Sequence, residues 1–134
     1  MLNPLRLLFT VVIVSMLCVT SWASWRCPLF AMPREVITHP WFIATLFDTY
    51  WGFTTFFVWV CYKQTSGLAR LAWFVAIMLL GNIAMSAYCL RELGRVPAGT
   101  PLAEVLTRRD PAIGLLGPAL ATIGVAVLLL AGQA

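Results

Sequence analysis

From Leu7 to Trp25 the chain runs without a charged side chain, directly after Arg6. At 1.5 Å per residue, about 20 apolar residues cross the ~30 Å hydrocarbon layer of a bilayer. Three comparable stretches follow: Trp41 to Tyr62, interrupted by Asp48; Leu71 to Leu90, with Asn82 inside it; and Ile113 to Leu130. In lipid each backbone amide must be satisfied within its own segment, which calls for helices. The short alternating segments of a membrane β-barrel are absent. The expected fold is all-α, an integral membrane four-transmembrane-helix bundle. It is one domain over residues 1–134, with helices near 7–25, 41–62, 71–90 and 113–130. Composition agrees, because 61% of residues are hydrophobic and 10% charged, too little charge to cover a soluble domain. The small-residue end Ala23-Ser24 resembles a signal-peptide cleavage region, but the A-x-A pattern is missing and Trp22 and Trp25 flank it. The first stretch is therefore expected to be a membrane helix.

Trp22, Trp25, Trp41, Trp59, Tyr62, Trp73 and Tyr88 fall near segment ends, as interfacial aromatics do, while Trp51 lies deeper. Lys63 to Arg70 reads as a short turn between antiparallel helices two and three. The first loop carries Pro28, Pro33 and Pro40, with Leu29 to Met32 suited to the membrane surface. The third loop, Arg91 to Ala112, should hold a short interfacial helix capped by Thr100, with Pro101 at its first position and Asp110-Pro111 at its end. Four spans put both termini and the short loop on one side with Arg6, Lys63 and Arg70. Arg26, Arg34, Arg91, Arg95, Arg108 and Arg109 fall on the other. The raw count favours the longer loops inside. The charge density of the short loop, and the acids in the longer loops, favour cytoplasmic termini in a bacterial inner membrane. The basic residues form no run that would suggest nucleic acid.

Asp48 is the residue with most to explain, since a carboxylate within a span must be protonated, paired or wet. Ser15, Asp48, Asn82 and Thr122 should lie ~10–15 Å below one membrane face, forming an interior polar layer with an Asp48–Asn82 hydrogen bond. Thr45, Asp48, Gly52 and Thr55 share one helical face. The small residues Gly114, Gly117, Ala121 and Gly124 suit close helix packing, and Pro118 should bend the fourth helix. Cys27 and Cys89 could form a disulfide if their side is oxidising. His39 is a lone interfacial histidine, expected to be solvated or hydrogen-bonded. The other cysteines, Cys18 and Cys61, complete no metal-ligand spacing.

The stretch Pro40 to Lys63, with Thr45, Leu46, Asp48 and Tyr50 and then Trp59-Val60 and Tyr62-Lys63, resembles a family of small uncharacterised membrane proteins of bacteria and plants. That family has no assigned function, so the resemblance implies a shared pattern around Asp48 and names no site residues.

No nucleophile–base pair, phosphate loop or metal cluster is legible, so no catalytic or metal residue is assigned. The expected function is a non-enzymatic accessory or structural subunit that packs against a larger membrane complex or against itself. Two alternatives stand beside it. One is a small proton-linked carrier centred on Asp48. The other is a quinone- or pigment-binding module beside Trp51, Phe56, Phe57 and Trp59. No cofactor is specifically indicated, although lipid, quinone or carotenoid would suit the aromatic density.

Overall fold

A computed structural model describes residues 2–133 and is all-helical. The order is α1 (Leu2–Arg26), one 3-10 turn (Leu29–Ala31), α2 (Arg34–Ile37), α3 (Pro40–Lys63), α4 (Gly67–Leu80), α5 (Asn82–Gly94), α6 (Leu102–Thr107) and α7 (Leu116–Gln133). Two of these, α1 and α7, are long and apolar enough to cross a membrane.

The third apolar stretch is not one helix. Gly81, at φ 54° and ψ −123°, ends α4 and begins α5, a conformation that only glycine adopts without strain. The two helices fold back as an antiparallel hairpin. Trp73 meets Tyr88 edge-to-face at 4.7 Å, and Ala76 and Ala84 are fully buried between the arms. A Cβ on Gly81 would lie 2.6 Å from Cζ of Phe53, so α3 closes over the turn.

The other helices take their directions from this hairpin. α3 runs antiparallel to α4, with Phe57 against Phe74 at 5.1 Å. Ser66 caps α4 by accepting from the Ala69 N–H. α1 runs antiparallel to α5, and Leu2 packs with Leu93 and Val105 while Arg6 donates to the Leu93 carbonyl. α7 runs parallel to α4, since Gly117 lies on Trp73 and Gly124 on Leu79. At both glycines a Cβ would come within 2.9 Å of its neighbour, so their smallness sets the approach.

Several expectations change with this arrangement. Leu2 and Gln133 lie at opposite ends of the bundle, not on one side, because α4 and α5 together return the chain to the end it left. Trp73 and Tyr88, read as interfacial, are fully buried in the core with Val60 and Ile77. Pro118 lies in the first turn of α7, where helix amides have no partner, so it bends nothing. Gly114 precedes α7 at φ 69° and gives the Arg91 guanidinium room. α6 starts after Pro101, not Thr100, and stops at Thr107. His39 caps α3, with Nδ1 accepting from the Trp41 N–H at 3.2 Å.

Candidate functional site: a buried ion network at one end of the bundle

The end where α3 stops, α4 starts and α5 returns holds the most unusual chemistry of the chain. Lys63, the last residue of α3, is fully buried and pairs with Glu92 of α5 at 2.8 Å. Its ammonium also donates to the Val105 carbonyl of α6 and lies 5.4 Å from the Trp59 ring centroid. Arg91 bridges the two acids, bonding Glu92 and Asp110 at 2.9 Å each, and Arg95 also bonds Asp110. Three cations thus surround two carboxylates.

The backbone closes the same end. Asp110 N donates to the Lys63 carbonyl at 2.7 Å and Thr65 N to the Asp110 carbonyl at 3.1 Å, in an isolated parallel bridge between Gln64 and Asp110. Arg70 donates to the carbonyls of Cys61 and Gln64, Arg108 to that of Arg95, and Arg109 to that of Tyr62. Beneath them Gln64, fully buried, donates to the Tyr88 hydroxyl at 3.0 Å. Its Oε1 is without a partner among the described residues. Turning that amide over would let Oε1 accept the phenol proton instead.

Burial acts to raise the Asp110 pKa. The Ala112 N–H, Arg95 and Arg91 outweigh burial and hold the carboxyl below its usual range. Removing Glu92 would leave the Lys63 ammonium buried without an opposite charge, the costly case for an ion pair, whereas removing Lys63 leaves Glu92 its bond to Arg91. The arrangement clamps three connections together: α3 to α4, α5 to α6, and α6 to α7.

This network was missed in the sequence because a single third span would put Lys63 and Glu92 on opposite membrane faces. The missed signal is Gly81-Asn82, a turn pair inside an apolar run.

The expected interior polar layer is not assembled. Ser15, Asp48, Asn82 and Thr122 are all exposed and none bonds another. The Ser15 hydroxyl donates to Val12 O and that of Thr122 to Pro118 O, each within its own helix. Thr45 and Thr55 likewise bond back to Trp41 and Trp51. Asp48 has neither hydrogen bond nor ion pair among the described residues. Gly117, Ala121 and Gly124 face the α4 side of the core. The Cys27–Cys89 disulfide is also corrected, as all four cysteines are free. Cys89 lies one turn before Leu93, beside the start of α1, whereas Cys27 follows the other end of that helix, ~30 Å away at the helical rise.

The fold defines an all-helical chain with two helices capable of crossing a membrane and a charged, internally paired end. The chain belongs to a family described as protein of unknown function (DUF1475), whose family model matches residues 5–113. The match takes in the whole ion network and stops before α7. No curated protein and no solved structure matches the chain.

Proposed function

We propose that the chain is a non-enzymatic membrane subunit that packs against other membrane-spanning helices through one face of α3. The geometry supports three crossing helices and a re-entrant hairpin in place of four spans. α1 and α7 both run away from the charged end. α3 begins at the opposite end and returns, and its 24 residues measure ~36 Å. The arms α4 and α5, of 14 and 13 residues, reach only ~20 Å each, short of the ~30 Å hydrocarbon layer.

Asp48 carries the reading. It is exposed in the middle third of α3, and Thr45, Gly52 and Thr55 beside it on the helical face are exposed as well. A Cβ on Gly52 would meet nothing within 4 Å. An ionisable side chain facing lipid costs about 3 kcal/mol or more, and such residues face protein or water instead. A small, polar stripe of this kind suits a partner helix packed closely against it.

Purification from native membranes in a mild detergent tests the reading. The expected result is a stoichiometric membrane protein partner that is lost in Gly52→Leu. Recovery as a homo-oligomer lost in the same variant would make the partner a second copy. A monomer alone would overturn the proposal.

A second reading keeps one observation of its own. An open apolar groove of about 490 Å³ lies between α3 and α4, lined by Leu46, Phe47, Tyr50, Trp51, Phe74 and Met78 among others. It suits a quinone or carotenoid ring, and an absorption band in protein purified from native membranes would decide for it.

A further inference from the structure

The positive charge of the chain is gathered at one end. Arg6, Lys63, Arg70, Arg91, Arg95, Arg108 and Arg109 are seven of the nine basic residues, and every one is bonded within the network at that end. Three acids, Glu92, Glu104 and Asp110, lie there too, which leaves a net charge of +4, the formal charge of the whole chain. Elsewhere Arg26 and Arg34 are balanced in number by Glu35 and Asp48.

These seven cations are not equivalent. Lys63, Arg91 and Arg95 are spent on carboxylates. Arg6, Arg70, Arg108 and Arg109 are held by backbone carbonyls, which orient a guanidinium without neutralising it. Of these four, Arg108 and Arg109 are exposed. Arg109 also sits 5.2 Å from the ring centroid of Tyr62, one residue from the end of α3. Two oriented, uncompensated guanidinium groups beside a tyrosine at a helix end match the depth and charge of phospholipid phosphates.

We propose that this end docks on anionic phospholipid headgroups, with Arg108 and Arg109 as its contacts. The charged end then lies in the more anionic, cytoplasmic leaflet, so that Leu2 is inside and Gln133 outside. This rests on the membrane placement proposed above, but not on any partner of α3.

The test titrates the purified full-length chain with phosphatidylglycerol or phosphatidylcholine and reads retained lipid by native mass spectrometry. Retention should favour phosphatidylglycerol, and Arg108→Gln with Arg109→Gln should weaken that preference by about fivefold for each arginine removed. Among the described residues neither arginine bonds a carboxylate, so the variant should fold. Arg26→Gln with Arg34→Gln should change nothing, and inorganic phosphate should not compete. Equal retention of the two lipids, an unchanged preference in the Arg108/Arg109 variant, or effective competition by free phosphate would each overturn the proposal. Carbonate washing of membranes separates the two readings. A retained chain without lipid preference overturns this inference alone, whereas a released chain overturns the membrane placement with it.

Discussion

The two halves of the bundle treat their polar groups in opposite ways. At the charged end, Lys63, Gln64, Glu92 and Asp110 are buried, and the four charged or amide side chains are tied to residues from α3, α5 and the segments flanking α6. In the far half the hairpin has already turned at Gly81, level with Phe53, and little protein covers the helices beyond it. Leu2 is the one buried residue of α1, Gly117 and Gly124 those of α7, and Val60 and Lys63 those of α3. Asp48 stands in that uncovered half. One end is chemically closed by the chain itself, while the other leaves a carboxylate for something else to cover. That contrast supports the proposed packing face on α3, while the buried pairs at the charged end tie the chain's own connections together.

The contrast can be broken most forcefully at Glu92. Glu92→Ala strands the Lys63 ammonium and should cost about 3–5 kcal/mol, read as a large drop in thermal stability in detergent. Lys63→Met with Glu92→Leu removes both charges and should cost markedly less. If the single and double variants behave alike, the buried pair is not what holds the end together.

Acid should act on the same end through Asp110. Its folded pKa is lowered, so its stabilisation is complete above the ordinary carboxylate range and is lost as pH falls below that range, through the lowered folded value. Asp110→Asn forfeits charge-assisted bonds worth about 1.5–3 kcal/mol and should remove that part of the acid response. A pH-dependent melting series on both proteins would show it.

Gly81→Ala should cost about 1–3 kcal/mol, from its positive φ and from the contact with Phe53. Gly52→Ala makes the matching probe in the uncovered half. The added methyl meets nothing within the chain, so the isolated protein should be unchanged or stabilised by about 0.5–1 kcal/mol. In native membranes the same substitution should weaken a partner packed on that face. Measuring stability and co-purification of both glycine variants would separate a fold requirement from an interface requirement.

Sequence patterning was enough for α3, expected over 41–62 and found at Pro40–Lys63, for α1 and α7 apart from their ends, and for a short helix in the third loop. It failed at one place with wide consequences. An apolar run of about 20 residues has the same composition whether it crosses once or turns back halfway, and the glycine that decides between them is a single residue. Reading through Gly81 sent Lys63 and Glu92 to opposite faces, so the ion network could not be assembled. It also made Trp73 and Tyr88 look interfacial. Asp48, expected inside the bundle, is exposed on α3. Its expected partner Asn82 belongs to the hairpin turn, and both side chains are exposed.

The most direct measurement of the central claim is photo-crosslinking in native membranes from positions around α3. A photoreactive residue at position 48, 52 or 55 should yield protein adducts. The same residue at 47 or 58, outside the polar stripe, should yield lipid adducts. Lipid adducts from all five positions would contradict the account, because α3 would then carry an uncovered carboxylate into the bilayer.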